Sequence, residues 1–143
     1  SRDFARVHPG GSLGKRLYTR VSDVYDGTNR PCITREAGIR PVILAMSKGR
    51  LGAVAIVDGE ERLEGIITDG DLRRMMEKYD DVDGLTAKDV MSKSPKTISE
   101  DELAYNAYRM MEQNSITQLV VVDKDRHYKG MVHIHDILRE GVV

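Results

Sequence analysis

The stretch GIITDGDLRR, residues 65–74, has a partner later in the chain, GMVHIHDILR, residues 130–139. In both, a glycine and two apolar residues predict the end of a buried strand. The polar residue that follows, Thr68 or His133, then leads into a helix whose first turn carries Asp71 or Asp136. The two stretches lie 65 residues apart, so the chain contains an internal repeat.

The repeat extends to either side of this turn. AIVD at residues 55–58 answers VVVD at residues 120–123, and SDV at 22–24 answers KDV at 88–90. The copies therefore span about residues 22–77 and 88–141. Each copy predicts the order strand, helix, strand, strand, helix. The expected elements are short strands ending at Ile33 and Ile98, buried strands at 53–57 and 63–68, and helices at 69–76 and 135–139.

The first helix of each copy differs in its starting signals. In the second copy, Ser99 and Glu102 have the spacing of a capping box, which predicts a helix that begins there. In the first copy, Gly38 and Pro41 oppose a regular helix, so we expect it to start late or to kink.

Size decides how the two copies combine. A unit of about 50 residues buries too little surface to be stable alone, so the copies should pack sheet against sheet. We predict an α+β (α/β) fold of two β-α-β-β-α repeats with pseudo-two-fold symmetry and a central cleft. Residues 21–78 form the first repeat, 79–86 a linker and 87–143 the second repeat, while residues 1–20 are a linker in which 4–17 is expected to be a flexible tether.

Composition limits the partners. With 22 Lys and Arg against 23 Asp and Glu, the net charge of −1 does not favour nucleic acid or an anionic membrane. A single cysteine permits no intrachain disulfide and no thiolate metal cluster, and no apolar run is long enough to span a bilayer. We expect a cytoplasmic protein that needs no cofactor.

Two interpretations of the turn at residues 68–71 remain open. Thr68 and Asp71 can simply cap the helix. The same turn can also present backbone N–H groups to a phosphate, with Asp71 accepting the hydroxyl groups of a ribose. Arg73 and Arg74 lie near enough along the chain to add positive charge.

This turn and the doubled order of elements resemble a tandem of CBS domains, a regulatory module that often binds adenosine nucleotides. The resemblance covers about residues 21–141 and implies contacts from Thr68, Asp69 and Asp71 to ribose and phosphate. It also implies that the base rests near Ala53 and Val54. In the second copy His133 and His135 replace Thr68 and Gly70, while Asp136 is kept.

Three roles are possible for His133 and His135 on the sequence alone. Two residues apart on a strand, they would share a face and could hold a metal, but no third ligand has suitable spacing, and His127 is expected on a hairpin turn. We therefore predict no metal site. The histidines can instead donate to an anionic group of a ligand, or serve only as structural residues.

Residues 8–15, HPGGSLGK, fail as a phosphate loop because the glycine spacing is too short. They resemble the junction that precedes the CBS pair in bacterial arabinose 5-phosphate isomerases, whose catalytic domain is a sugar isomerase (SIS) domain. That resemblance implies that the parent enzyme interconverts ribulose 5-phosphate and arabinose 5-phosphate for Kdo biosynthesis, with a catalytic role for His8. The fragment itself would be inactive.

The implied ligand is a nucleotide or nucleotide sugar, such as AMP, ATP or CMP-Kdo. The implied partners are the SIS domain of the same chain and a second module, giving a homodimer of the module within a tetrameric parent. An alternative is an assembly module that binds no ligand. A third is a free-standing sensor unrelated to sugar metabolism.

Overall fold

The computed structural model describes residues 11–143, which form seven helices and six strands. The helices are α1 (Gly11–Tyr18), α2 (Val21–Val24), α3 (Ile39–Gly49), α4 (Asp69–Lys78), α5 (Ala87–Val90), α6 (Ala104–Asn114) and α7 (Ile134–Glu140). The strands are β1 (Cys32–Ile33), β2 (Ala53–Val57), β3 (Leu63–Thr68), β4 (Thr97–Ile98), β5 (Gln118–Val122) and β6 (Tyr128–His133). The predicted β-α-β-β-α order is therefore confirmed in both repeats.

Each repeat forms one three-stranded sheet with the same topology. β1 pairs in parallel with β2, which pairs antiparallel with β3, and β4, β5 and β6 repeat this arrangement. The register is also repeated, since Ala53 lies opposite Thr68 and Gln118 lies opposite His133. Two halves with equal topology and register give the molecule its pseudo-two-fold symmetry.

Both faces of the central strands are buried, as their continuous apolar sequence predicts. Along β2, Val54 and Ile56 join a cluster with Val42 and Met46 of α3. Their neighbours in sequence point to the other face, because side chains alternate along a strand. That face packs against the second sheet, in a shared cluster of Ala53, Ala55, Val57, Leu63, Ile66, Val120, Val122, Tyr128 and Met131. The predicted sheet-against-sheet packing is thus observed.

The short helix at the start of each repeat packs on the opposite repeat. Val21 of α2 is fully buried among the core residues of the second repeat, and its N–H donates to the Glu102 carbonyl at 2.8 Å. In the same way, Ala87 of α5 is fully buried in the core of the first repeat, and its N–H donates to the Ala37 carbonyl at 2.8 Å. Each core is therefore completed by the other half of the chain.

The starts of α3 and α6 can be compared with the predictions. α3 begins at Ile39, directly after its N-cap Gly38, and its counterpart α6 begins at the equivalent residue, Ala104. Pro41 lies in the first turn of α3, where a missing N–H costs no intrahelical hydrogen bond. The predicted capping box is wrong: Ser99 and Glu102 form a turn that precedes the helix, and Leu103 occupies the N-cap.

The predicted tether is helical over α1. The Lys15 ammonium donates to the Glu140 carbonyl, and the Arg16 guanidinium lies 4.6 Å from the centre of the Tyr105 ring. These contacts attach α1 to the second repeat. His8 lies outside the described residues. Among residues 11–143, no helix is both long and apolar enough to cross a membrane.

Candidate functional site

The turn between β3 and α4 has the geometry of a capping box. The Thr68 hydroxyl accepts a hydrogen bond from the Asp71 N–H at 3.2 Å, and the Asp71 carboxylate accepts one from the Thr68 N–H at 2.9 Å. These reciprocal bonds satisfy two N–H groups that the start of a helix leaves free. The structural interpretation of the motif is therefore correct, and the same side chains remain at the edge of a cavity.

Asp71 also holds two partners outside the capping box. Its Oδ1 accepts from the Arg74 guanidinium at 2.7 Å and from the Ser92 hydroxyl at 3.1 Å. The Asp71 side chain is only 6% exposed, whereas that of Arg74 is 66% exposed. Ser92 is held in place by two backbone hydrogen bonds to Ile66, of 2.9 and 3.0 Å. A buried carboxylate thus joins α4 to the segment that leads into β4.

These groups line a cavity of about 250 Å³ between the two repeats. We call it the Asp71 cavity, and its lining residues are Ile66, Thr68, Asp71, Arg74, Ser92, Ser94, Pro95, Lys96, Ile116 and Gln118. Its ionisable groups are one carboxylate and two cations, since Lys96 joins Asp71 and Arg74. Hydroxyl and amide groups lie beside apolar side chains, so the surface combines a positive region with an apolar one.

Some of the residues proposed at this turn line the cavity, and others do not. Thr68 and Asp71 line the cavity, but Arg73 is exposed and is not among the lining residues. Arg74 faces Asp71 instead, because residues three apart are neighbours on a helix and residues two apart are not. The Asp69 side chain is exposed, and its backbone N–H donates to the Gly52 carbonyl at 3.1 Å.

The strand expected to support a base also lies apart from this cavity. Ala53 and Val54 are both fully buried, Ala53 between the sheets and Val54 against α3. The residue equivalent to Ala53 in the second repeat, Gln118, lines the Asp71 cavity together with Ile116. The first repeat thus supplies the helix start that lines this cavity, and the second repeat supplies the strand start.

Sequence reasoning missed Ser92, Ser94, Lys96, Ile116 and Gln118. They lie at least 18 residues beyond Arg74 in sequence, and no local pattern connects them to the turn at Thr68. Arg74 was named from the sequence together with Arg73 as a nearby positive charge, and its spacing from Asp71 is that of an ion pair on a helix.

The second repeat reproduces the turn with different chemistry. His133 is the N-cap of α7, and its N–H donates to Asp136 at 2.8 Å while Arg139 donates to the same carboxylate at 2.6 Å. The His133 Nδ1 accepts from the His135 N–H at 3.1 Å, so this nitrogen is unprotonated. Burial, the nearby His135 and the Arg139 cation lower the pKa of His133, against the opposing effect of Asp136.

The expectation that both histidines lie on one strand is wrong. β6 ends at His133, and His135 belongs to the first turn of α7, although the two rings stack with centroids 4.8 Å apart. Their closeness comes from the helix turn. Because the His133 Nδ1 already accepts a backbone hydrogen bond, only its other ring nitrogen is available to a ligand.

A different group has the composition of a metal site. Side-chain ligand atoms of Asp123, Asp125 and His127 lie within 4.8 Å of one another on the hairpin between β5 and β6, where His127 was expected. Asp123 Oδ1 accepts from the N–H groups of Asp125 and His127, both at 2.9 Å. Asp58 makes equivalent bonds in the first repeat, where Arg62 replaces the histidine. The arrangement is therefore that of a repeated hairpin turn.

A larger cavity, of about 680 Å³, lies at the hairpins. Four of its ionisable groups are already paired: Arg30 pairs with Glu61 at 2.9 Å, and Asp123 contacts His127 at 3.1 Å. The Tyr25 hydroxyl donates to Glu100 at 2.7 Å, and burial with this bond raises the pKa of Tyr25 to about 12. Within residues 11–143, none of the residues proposed to bind the nucleotide ligand lines this cavity.

Two sheets packed face to face, with paired helix starts at the seam, define a tandem CBS pair. The chain belongs to the CBS domain family, whose model matches residues 21–78 and again residues 87–142. Among solved structures, the CBS domain pair of protein MJ0100, in complex with 5′-methylthioadenosine and S-adenosyl-L-methionine, superposes with a TM-score of 0.76. It is 25% identical, and the match covers 85% of this chain and 94% of that one. CBSX2 in complex with AMP gives a TM-score of 0.75 at 18% identity, over 87% and 97% of the two chains.

Comparison with curated proteins gives matches to one particular enzyme. The chain is 41% identical over 142 residues to arabinose 5-phosphate isomerase KdsD of Yersinia pestis, a match that covers 99% of this chain and 43% of that protein. It is 43% identical over 134 residues to arabinose 5-phosphate isomerase KpsF of Escherichia coli, covering 94% of this chain and 41% of that protein. The chain thus spans about two fifths of the length of these relatives and corresponds to their CBS module.

Proposed function

We propose that this chain is the ligand-sensing regulatory module of an arabinose 5-phosphate isomerase and that the Asp71 cavity binds a nucleotide or nucleotide sugar. The observation that carries the proposal is the meeting of Asp71, Arg74 and Lys96 with apolar side chains in one cavity between the repeats. The relatives, which are arabinose 5-phosphate isomerases, support the parent activity, and the ligands bound in the two structural neighbours support the ligand class.

Each part of a nucleotide has a counterpart in this cavity. Lys96 and Arg74 supply cations for a phosphate, and the first turn of α4 adds the positive end of a ten-residue helix. Asp71 is the acceptor for ribose hydroxyl groups. The apolar side chains of Ile66, Pro95 and Ile116 offer surface for a base.

The size of the cavity favours a small ligand. Small-molecule sites usually measure roughly 300–1,000 Å³, and the Asp71 cavity measures about 250 Å³. AMP or CMP therefore suits this shape better than CMP-Kdo, which needs more room at the phosphate end. The second turn, with His133, His135 and Asp136, is a further candidate for an anionic part of the ligand.

Binding regulates the parent enzyme by favouring one arrangement of its domains. A ligand shifts such an equilibrium only through a difference in affinity between two arrangements. Because the Asp71 cavity has walls from both repeats, a change in their separation alters the site and the module together.

Thermal stability in the presence of AMP, ATP, CMP and CMP-Kdo tests the proposal. A ligand at about 100 times its dissociation constant stabilises a fold by about 2.7 kcal/mol. For a domain of this size that corresponds to a rise in melting temperature of roughly 5–10 °C. If none of the four raises the melting temperature, the sensing function is wrong.

A matched pair of variants locates the binding. Asp71→Asn removes the proposed ribose acceptor, and Asp89→Asn alters a capping box of equal geometry on α5, where Thr86 N–H donates to Asp89 at 2.8 Å. Each variant should lose about 0.5–2 kcal/mol in the free energy of unfolding. Only Asp71→Asn should abolish the shift caused by the ligand, and equal behaviour of the two variants would contradict the site.

The parent activity has its own test. Full-length isomerase should interconvert ribulose 5-phosphate and arabinose 5-phosphate, and the chain of 143 residues alone should not. His8→Ala in the full-length enzyme should lower kcat, which is the proposal that the junction sequence motivates. Unchanged kcat would remove His8 from the active site.

The alternative is an assembly module, and exposed apolar side chains favour it. Ile43 and Leu44 of α3 are 43% and 61% exposed, and Met76 of α4 is 65% exposed. Sedimentation of the chain with Leu44→Glu, compared with Lys48→Glu on the same helix, tests this function. The assembly alternative predicts a dimer that only Leu44→Glu dissociates, together with no response to any nucleotide.

A further inference from the structure

The inference concerns which ligands the Asp71 cavity accepts, and it rests on the proposed function. We propose that Arg74 makes the cavity selective for phosphorylated nucleosides by exchanging its ion pair with Asp71 for one with the ligand phosphate. The exchange frees Asp71 to accept the ribose hydroxyl groups, so phosphate and ribose are recognised together.

The first step is that Asp71 has no spare acceptor capacity. Oδ2 accepts from the Thr68 N–H at 2.9 Å and from the Thr68 hydroxyl at 3.1 Å. Oδ1 accepts from Arg74 at 2.7 Å and from Ser92 at 3.1 Å. A carboxylate offers about four lone-pair positions, and all four are used. A ribose can bind Asp71 only if at least one present donor leaves.

The second step identifies the donor that leaves. The Thr68 N–H bond belongs to the helix cap, and losing it would leave an N–H group at the helix start without a partner. The Thr68 hydroxyl is held beside the same carboxylate because its oxygen accepts from the Asp71 N–H at 3.2 Å. The Ser92 hydroxyl can rotate away, but a cis-diol donates two hydrogen bonds and needs a second position. Arg74 occupies that position, and its side chain is 66% exposed and already lines the cavity.

The third step concerns the charges that are left unpaired when Arg74 leaves Asp71. Releasing Arg74 leaves the buried carboxylate and the guanidinium each without its partner, which is unfavourable unless an anion replaces the carboxylate. A phosphate does so with paired, charge-assisted hydrogen bonds, and Lys96 attracts it into the same cavity. A neutral nucleoside brings no anion, so in its presence Arg74 stays on Asp71.

The test compares nucleosides with their 5′-phosphates by calorimetric titration. Adenosine and AMP, and cytidine and CMP, are titrated into the unsubstituted chain, into Arg74→Ala and into Arg109→Ala. Arg109 is exposed on α6 and does not line the cavity, so its variant controls for the loss of one positive charge. Melting curves confirm that each variant is folded.

If the exchange occurs, Arg74→Ala should change the affinities for nucleotides and for nucleosides in opposite directions. Arg74→Ala should bind the nucleotide about tenfold more weakly, the equivalent of one lost charge-assisted contact. It should bind the nucleoside several-fold more tightly than the unsubstituted chain does, because Asp71 is then free. Arg109→Ala should change neither affinity by more than about twofold.

Two other results would overturn the inference while leaving the proposed function intact. If the nucleoside affinity is unchanged in Arg74→Ala, Arg74 is a phosphate contact and does not restrict Asp71. If both affinities fall, Arg74 only positions the carboxylate. If the unsubstituted chain binds none of the four ligands, the proposed function fails, and the inference fails with it.

A second measurement separates the exchange from the contacts that a phosphate group on the ligand itself would make. Inorganic phosphate should raise the affinity of the unsubstituted chain for adenosine, because it draws Arg74 away from Asp71. Potassium chloride of equal ionic strength should not, and phosphate should have no such effect on Arg74→Ala. Phosphate that leaves the adenosine affinity of the unsubstituted chain unchanged would refute the exchange.

Discussion

Truncation of Val21 tests the packing of α2 on the second repeat. Val21 is fully buried beside Ile137 and other residues of the second core, although it belongs to the first repeat in sequence. Val21→Ala removes the equivalent of two buried methylene groups, each contributing about 0.8 kcal/mol, and adds the cost of a cavity. We expect a loss of about 2–3 kcal/mol in the free energy of unfolding.

Urea unfolding followed by far-ultraviolet circular dichroism measures this loss. With a denaturant dependence of about 2 kcal/mol per molar, the midpoint should fall by roughly 1–1.5 M. Leu44→Ala, at a side chain that is 61% exposed, should change the midpoint little. A midpoint for Val21→Ala equal to that of Leu44→Ala would refute the burial of α2.

Double-mutant cycles then show which repeat Val21 stabilises. Combined with Ile137→Val in the second core, Val21→Ala should be non-additive by at least about 0.5 kcal/mol. Combined with Ile56→Val in the first core, it should be additive within about that amount. Coupling to Ile56 instead of Ile137 would mean that each repeat completes its own core and that the exchange of short helices is wrong.

Three further predictions concern pH and close packing. Because folding lowers the pKa of His133, this residue supports folding above its ordinary value of 6.5 and loses that support as the pH falls. His133→Thr should therefore have a melting temperature that depends less on pH between about 5.5 and 7.5; an unchanged dependence would contradict the assignment. Gly65→Ala should cost about 1–3 kcal/mol in urea unfolding, since its Cβ would lie 2.7 Å from a methionine sulfur and 2.8 Å from a carbonyl oxygen. Gly59→Ala, with no atom within 4 Å, is the matched control, and an equal effect of both would argue against close packing at residue 65. Since folding raises the pKa of Tyr25 to about 12, its stabilising contribution with Glu100 is present below pH 10.0 and is lost as the pH rises through about 12. Tyr25→Phe should reduce the pH dependence of unfolding in this range and remove one late-titrating phenol from the absorbance, and an unaltered titration would show that Tyr25 is not the group concerned.

Much of the fold was predictable because its signals are local. The strands at 53–57 and 63–68 were predicted at their observed limits, since apolar runs between turn residues report burial directly. The capping pair Thr68 and Asp71 was also predicted, because a helix start needs acceptors at a fixed spacing. The same rule misled at Ser99, where the spacing of a capping box occurs in a turn before the helix.

The candidate site was predictable only in part. Helical spacing alone favours Arg74 over Arg73 as the partner of Asp71, and this signal was present in the sequence. Lys96 and Gln118 carry no such signal, because they reach the cavity through the packing of one repeat on the other. Their counterparts by repetition, Pro31 and Ala53, do not line the same cavity, so the repeat alone does not identify them.

The amino-acid sequence by itself determined the doubled unit, its strands and the polar turns at both helix starts, because periodicity and capping depend on neighbours along the chain. The tertiary structure decided that α2 and α5 complete the opposite cores and that Ser92 and Arg74 share one carboxylate. Sequence patterns report which face of an element is buried, and they do not report which distant surface covers it. That surface is selected when two incomplete halves bury their apolar faces against each other, and the cavity at Asp71 is formed by the same packing.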